Sequence, residues 1–290
     1  MYPMKRTRAL RMAAVMIAAV LPCTMALAQE PSHLPPAELE RIVSRIALYP
    51  DPLLAQVLSA ATFPDEISEA AQYADQHHYL SGDALANAIN EDHLPWDPSV
   101  QALIPFPSVL EMMASDMTWT NQLSNAVLVE RAEVMDAVQR ERKKARDFGY
   151  LRSNPEVVVG GGPYITILPA REDFICVPYY DPLIVFVGPR PGFVVGGAIN
   201  FGFGVTIGAA FRPWGWGAVR FDWGAHGWFV GARVWDRSWA NRGAWHSPYE
   251  ARRWEAPRRA ESHELINRSP AEREAPRRGG KVVEEHRRGR

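Results

Sequence analysis

Apolar residues between positions 36 and 150 recur at the spacing of an α-helix, and prolines interrupt them at short intervals. One face of the first predicted helix carries Leu39, Ile42, Val43, Ile46 and Ala47. At Asp51-Pro52 a second helix is predicted to begin, because Asp can cap free backbone N–H groups and Pro fits the first turn. Similar Pro-punctuated stretches follow, so the pattern predicts several short helices.

The last of these helices is predicted over residues 130–148, with Val134, Val138 and Ala145 on its buried side. The charged run from Arg140 to Lys144 is interpreted as its solvent-facing side. Residues 36–150 are together long enough to enclose one core. The sequence therefore predicts a multi-helix domain over this range.

Beyond residue 150 the pattern changes to short β-branched and aromatic runs separated by glycine, proline and charged turns. Residues 151–190 are predicted to form a small β meander, with Leu183–Val187 as its last strand. A hydrophobic segment rich in Gly and Trp follows over 191–249, and then a charged tail over 250–290. The fold class predicted for the chain is therefore α+β.

The stretch from Phe193 to Phe211 contains no charged residue. As a helix, it would align a narrow packing face of Gly196, Asn200, Gly204 and Gly208. Its length would approach the ~20 residues that cross a bilayer. As a strand, it shows large residues alternating with Gly, Ala or Thr. Periodicity alone leaves both interpretations open.

Tryptophan and arginine are concentrated in the same segment, 191–249. Trp favours the membrane–water boundary and Arg pairs with phosphates, so the combination suits a membrane or another partner. The predicted interface consists of Trp214, Trp216, Arg220, Trp223, Trp228, Arg233 and Trp235. The alternative is that these tryptophans fill a small core against the helices. A β-hairpin is predicted from Ala218–Trp223 and Trp228–Trp235.

The N-terminus has the three-part layout of a secretory signal peptide. Basic residues precede the apolar run Met12–Leu21, and the small-residue pattern Ala26-Leu27-Ala28 follows. Residues 1–28 are therefore predicted to be a signal peptide, with cleavage between Ala28 and Gln29. The apolar run is shorter than an ordinary spanning helix. We expect an exported, periplasmic protein.

Charge is divided unevenly along the chain. Residues 29–150 hold 8 basic and 19 acidic side chains, a net charge of −11, whereas residues 151–290 hold 20 and 14, a net charge of +6. Because the most clearly folded segment is acidic, we expect no nucleic-acid partner. The tail, with 12 basic and 8 acidic residues, is predicted to be disordered.

The sequence contains no motif that requires catalysis. No HExxH, zinc-spaced Cys/His or GxSxG pattern occurs, so we expect no metal and no cofactor and favour a non-enzymatic role. Acidic pairs such as Asp65-Glu66 suit the start of a helix. An envelope hydrolase that acts on glycan through paired carboxylates of the helical domain stays as the alternative. Cys176 lies in an apolar run and is predicted to be buried and inert.

Several motifs in a fixed order resemble a known bacterial family. They are IALYPDPLLAQVLSAATFP (Ile46–Pro64), LPWDPSVQALIPFPSVLEMM (Leu94–Met113), VMDAVQRERKKA (Val134–Ala145) and VPYYDPLIVFVG (Val177–Gly188). This series is similar to the family catalogued as domain of unknown function 3300. The resemblance implies an uncharacterised exported or membrane-associated protein, and it carries over no catalytic residue.

These observations favour a non-enzymatic cell-envelope protein attached through its C-terminal third to a membrane or to another envelope component, whether lipid, glycan or protein. Self-assembly through the glycine face is a further alternative, and it would give a homo-oligomer.

Overall fold

The computed structural model describes residues 31–188 and 197–249. Its first part consists of the helices α1 Pro36–Val43, α2 Asp51–Ala60, α3 Pro64–Gln76, α4 Gly82–Glu91, α5 Pro98–Gln101, α6 Pro107–Ser115, α7 Met117–Val129 and α8 Arg131–Asp147. Small antiparallel sheets follow, which confirms the predicted α+β class. The predicted signal peptide (1–28) and the predicted tail (250–290) lie outside the described residues.

Proline marks the first turn of α1, α2, α3, α5 and α6, as its fixed φ and missing N–H allow. Asp97 caps α5 by accepting a hydrogen bond from the Ser99 N–H at 2.8 Å. The cap predicted at Asp51 is wrong, since Pro50 occupies the capping position and makes no side-chain cap. The Asp51 carboxylate instead contacts Arg142, because a buried guanidinium forms a stronger, charge-assisted hydrogen bond than a backbone N–H of the helix start.

The strands form short antiparallel pairs: β1 Val157–Gly160 with β2 Thr166–Pro169, β3 Phe174–Tyr180 with β4 Ile199–Thr206, and β5 Arg220–Asp222 with β6 Gly227–Val230 and β7 Arg233–Val234. The register of β5 and β6 pairs Phe221 with Trp228, which confirms a hairpin at this position. The predicted second arm, Trp228–Trp235, is wrong as a single strand, because the chain turns at Gly231, where φ is +63°, and returns as β7. A 3-10 helix, Ala209–Trp214, connects β4 to this last sheet.

The strand predicted over Leu183–Val187 is wrong, because a short helix, α9 Pro182–Val185, occupies this position. Asp181 caps the helix by accepting a hydrogen bond from the Leu183 N–H at 2.8 Å. Asp-Pro is the same helix-start signal that operates at Asp97, and here it overrides the β-branched composition. The result is a single turn with adjacent apolar side chains on different sides.

For the uncharged stretch, the structure supports the strand interpretation, since residues 199–206 form β4. A Cβ atom at Gly204 would collide with the Phe174 ring, and one at Gly202 would crowd the Tyr179 ring. These glycines therefore admit aromatic rings from β3. Of the four residues of the predicted helical packing face, Gly196 lies outside the described residues, Asn200 and Gly204 lie in β4, and Gly208 follows it.

One continuous apolar core joins the helices to the last sheet. It contains helical residues such as Ile42, Leu54 and Leu103 together with Phe211 and Trp228. A smaller cluster around Val157, Ile165 and Val185 lies under the first hairpin and α9. The described residues from His33 onward belong to one compact unit.

Candidate functional site

The tryptophans of the predicted interface are buried. Relative exposures are 1% for Trp214, 3% for Trp216, 6% for Trp223, 0% for Trp228 and 0% for Trp235. Arg220 and Arg233 are exposed, and the Arg220 guanidinium lies 3.7 Å from the centroid of the Phe229 ring. As a correction to the predicted interface, these five indoles form core, because the helices offer enough apolar surface to cover them.

Hydrogen bonds fix three of these indoles in the helical domain. The Nε1–H of Trp214 donates to Gln101 Oε1 at 2.9 Å, that of Trp216 to the Ala102 carbonyl at 3.0 Å, and that of Trp228 to Ser59 Oγ at 2.9 Å. A buried indole N–H usually has such a partner. The C-terminal third is therefore attached to α2 and to the end of α5 by both apolar and polar contacts.

Arg142 on α8 is fully buried, which corrects its assignment to the solvent-facing run of α8. Its Nη1–H donates to Asp51 Oδ1 at 2.6 Å and to the Ile165 carbonyl at 2.9 Å, and its other N–H groups reach the carbonyls of Ala47 and Tyr49. Burial raises the pKa of Asp51, and the Arg142 guanidinium opposes that shift. Arg142 thus joins three segments of the chain.

The Asp51–Arg142 pair also occupies the outer edge of strand β2. Asp51 Oδ1 accepts a hydrogen bond from the Ile167 N–H at 3.3 Å, and Gln139 bonds both backbone groups of Ile165. On the other edge of this hairpin, Asn154 Oδ1 accepts from the Val157 N–H at 2.9 Å. Side chains therefore satisfy edge groups that could otherwise pair with another strand.

The position of Arg142 had a signal in the sequence. It lies four residues after Val138 and three before Ala145, so it falls on the apolar face of α8. Its charge alone predicts a place in the solvent-facing run with its neighbours. A charged residue at a core position of a helical pattern indicates a buried partner, and here that partner is Asp51.

Two carboxylates of the helical domain converge, as the hydrolase alternative requires. Glu66 Oε2 accepts a hydrogen bond from the Asp97 backbone N–H at 2.6 Å. Burial raises the pKa of Glu66 to about 7 and also raises that of Asp97. Asp97 Oδ1, however, accepts from both the N–H and the hydroxyl of Ser99. This pair is therefore engaged in holding the start of α5 against α3.

Glu66→Gln is expected to change how stability depends on pH. Burial raises the pKa of Glu66 in the folded protein from 4.5 to about 7. The stabilisation that the protonated carboxyl group gives to the folded state is therefore fully present below pH 4.5, and it is lost as the pH rises through 7. Over this pH range we expect the free energy of unfolding of the parent to fall by about 1 kcal/mol relative to that of Glu66→Gln, a value already discounted for the partial exposure of the side chain. Urea unfolding of both proteins between pH 4 and 8 measures it.

The control for this experiment is Glu69→Gln, which removes a carboxylate from the same helix. Glu69 lies outside the Glu66–Asp97 contact and accepts a hydrogen bond from the Trp96 indole at 3.3 Å. If the difference curves of the two variants against the parent have the same slope, the assignment of the pH dependence to Glu66 is wrong.

A groove of about 1230 Å³ lies between β2, the 3-10 helix and the last sheet. Its lining carries Arg212 and Arg233 as well as Glu172 and Asp173. Both signs of charge occur in one groove, so its field favours neither an anion nor a cation.

Exposed apolar side chains cluster instead around α9. We call this cluster the α9 patch: Tyr179, Leu183, Ile184 and Val187, whose relative exposures are 52%, 80%, 49% and 57%. Val185 in the same turn is fully buried in the smaller core, and the Phe186 ring packs edge-on against Tyr180 at 5.8 Å. The patch therefore projects from an ordered base. Sequence analysis missed it because Leu183–Val187 was interpreted as a strand.

Within the described ranges, no group of three or more His, Cys, Asp or Glu side chains could hold a metal ion. The same ranges contain no helix with the length and apolar character needed to cross a bilayer. Cys176 is free and buried, and burial raises the pKa of its thiol.

Comparison with known proteins extends the resemblance of the motifs to most of the chain. Residues 35–255 match the family described as "Protein of unknown function (DUF3300)". The chain belongs to this family. The DUF3300 match includes α9, the buried Asp51–Arg142 pair and the tryptophans of the last sheet.

A relative of this DUF3300 chain is "Uncharacterized protein YacH" of Escherichia coli (strain K12), which is 32% identical over 183 residues. The alignment covers 52% of this chain and 29% of that protein, so the chain matches less than a third of the length of its relative. No solved structure matches the chain.

Proposed function

We propose that this protein is a non-enzymatic, exported module of the cell envelope, and that the α9 patch is its contact surface. The supporting observation is a cluster of aliphatic side chains held outward on an ordered turn, with Leu183 80% exposed. Contiguous exposed apolar surface on a soluble domain is typical of an interaction site. The signal-peptide pattern at residues 1–28 supports export.

The α9 patch replaces the tryptophans as the proposed point of attachment. It lies at the boundary between the predicted β meander and the Gly/Trp-rich segment, so attachment still involves the later part of the chain. The hydrolase alternative has weaker support, because Asp97 is already engaged by Ser99 and Glu66 by the backbone of Asp97.

Cell fractionation tests the proposal. We expect the full chain to be exported, to begin at Gln29 after processing, and to sediment with the envelope fraction. The double variant Leu183→Ser/Val187→Ser is expected to shift most of the protein into the soluble periplasmic extract, because it removes two exposed aliphatic side chains of the patch.

The matched control is Val158→Ser/Leu168→Ser. These residues face each other across the β1–β2 hairpin and are 49% and 47% exposed, so the control replaces the same pair of residue types on another exposed surface. Its distribution is expected to equal that of the parent. Retention of both double variants in the envelope fraction, or release of the parent itself, would contradict the proposal.

A further inference from the structure

We infer that the groove between β2, the 3-10 helix and the last sheet is the docking site of residues 250–255 of the same chain, which directly follow Tyr249. We call these six residues the exit segment, and their sequence is EARRWE. The groove is a different surface from the α9 patch, so the inference does not depend on the proposed function.

The groove has the size and lining that suit an extended peptide. Its volume of about 1230 Å³ exceeds the range of roughly 300–1,000 Å³ that is typical of small-molecule pockets. Ile175, Ile207 and Val230 contribute apolar surface to the lining. Gly217 and Gly231 also line it, and a Cβ atom at either position would meet no atom within 4 Å beyond its chain neighbours. Glycine in such a lining permits the close approach of another backbone.

Charged side chains of both signs line the groove without pairing with each other. Glu172 and Asp173 form the turn between β2 and β3 and are the groove acids, whereas Arg212 on the 3-10 helix and Arg233 on β7 are the groove arginines. All four are exposed. Among the described residues, none of these four side chains takes part in an ion pair. They are therefore available to a peptide that carries both signs of charge.

The exit segment carries the complementary charges. Arg252 and Arg253 lie at its centre and can pair with the groove acids, while Glu250 and Glu255 at its two ends can pair with the groove arginines. A ligand of one sign would be attracted by two of the four groove charges and repelled by the other two. The charge pattern thus favours this mixed-charge segment over a simple anion or cation.

The described chain ends in the lining of the groove, which places the exit segment at the site. Pro248 and Tyr249 both line the groove. The Tyr249 hydroxyl donates to Gln56 Oε1 at 2.5 Å, and its ring packs edge-on against Trp235 at 6.1 Å. The exit segment therefore starts from a fixed point. Six extended residues reach about 20 Å, which is long enough to cross the groove.

Trp254 supplies an apolar group for the lining. It is the only Phe, Trp or Tyr in residues 250–290. A Trp side chain gains from covering its large apolar surface. The match to the DUF3300 family ends at Glu255, so it continues six residues beyond Tyr249 and includes this indole. The family pattern thus treats the exit segment as part of the same domain.

Limited trypsin digestion of the purified chain from Gln29 tests the inference, with the cleavage sites identified by mass spectrometry. The same dipeptide occurs within the exit segment, as Arg252-Arg253, and six residues later, as Arg258-Arg259. A synthetic peptide of residues 246–262 gives the intrinsic rate at each site. Relative to these rates, we expect cleavage at the first site to be at least tenfold slower than at the second, because docking covers it. Equal relative rates would overturn the inference.

The groove variant separates docking from mere nearness to the folded domain, which by itself slows trypsin at the first site. Glu172→Gln/Asp173→Asn is expected to speed cleavage at Arg252-Arg253 at least fivefold, because it removes the carboxylates that pair with these arginines and leaves the distance from Tyr249 unchanged.

The matched control is Glu111→Gln/Glu133→Gln, which neutralises two exposed carboxylates of α6 and α8 outside the groove. It should be cleaved like the parent. Trp254→Ala is also expected to speed cleavage at the first site, measured against a peptide with the same substitution. Circular dichroism and thermal unfolding check that each variant is folded. Equal cleavage rates in the groove variant and its control would show that the exit segment is not held by the groove, and the inference would be wrong.

Discussion

Arg142→Met is expected to lower the free energy of unfolding by about 3–5 kcal/mol. The substitution leaves Asp51 as an uncompensated buried carboxylate and removes the donor from the buried carbonyls of Ala47 and Tyr49, while the Ile165 carbonyl keeps its hydrogen bond from Gln139. Each unsatisfied group costs its full desolvation energy. Urea unfolding monitored by tryptophan fluorescence measures the loss.

Two further variants separate the causes of that loss. Arg142→Lys keeps a positive charge but cannot reach the same set of acceptors, so an intermediate loss is expected. Asp51→Asn/Arg142→Met removes the unpaired charge as well and should recover part of the stability of Arg142→Met. Arg140→Met on the same helix breaks a partly exposed pair with Glu40 and is expected to cost at most about 1 kcal/mol. Equal effects at positions 140 and 142 would contradict the buried role of Arg142.

Trp228→Ala is expected to lower the free energy of unfolding by a similar amount, about 3–5 kcal/mol. Its indole is fully buried, donates to Ser59 Oγ, and has the Arg131 guanidinium 5.3 Å from its ring centroid. The truncation leaves a cavity between α2 and the last sheet, and it leaves Ser59 without its donor.

The comparison variants for this experiment are Trp228→Phe and Trp239→Ala. Trp228→Phe keeps most of the volume and is expected to cost less, because it loses chiefly the hydrogen bond. Trp239 is only partly buried, and we expect its truncation to cost about 1 kcal/mol. Had the tryptophans formed an exposed interface, Trp228→Ala would leave the free energy of unfolding unchanged and would weaken envelope association instead.

These two predictions concern the same structural property, the attachment of the C-terminal third to the helices. Arg142 joins α8 to the first hairpin, and Trp228 joins the last sheet to α2. Once both contacts bury their groups, the α9 patch stays exposed beside this part of the chain, as do Val158 and Leu168 on the first hairpin and Val234 on the last sheet. The attachment therefore determines which residues are accessible to a partner.

Local physics made several elements predictable from the sequence. Helical spacing placed Leu39, Ile42 and Val43 in the core, and proline in the first turn marked where helices begin. The hairpin of β5 and β6 followed from two apolar runs around a short turn. Such signals depend on residues that are close along the chain, so they can be recognised without knowledge of the tertiary contacts.

Tertiary structure alone decided whether the tryptophans and Arg142 are buried and whether the uncharged stretch is a strand or a helix. Composition showed that the indoles must be shielded from water, either by the helices or by a partner. The choice depends on segments more than a hundred residues away along the chain, as the hydrogen bond from Trp228 to Ser59 illustrates. Periodicity allowed both a helix and a strand at residues 199–206, and the structure contains the strand. In that strand Gly202 and Gly204 leave room for the rings of Tyr179 and Phe174 on β3, a contact between distant segments that periodicity does not reveal. Burial is a property of contacts between distant segments, and for that reason the sequence determined the local elements while the assembled fold determined the exposed surface.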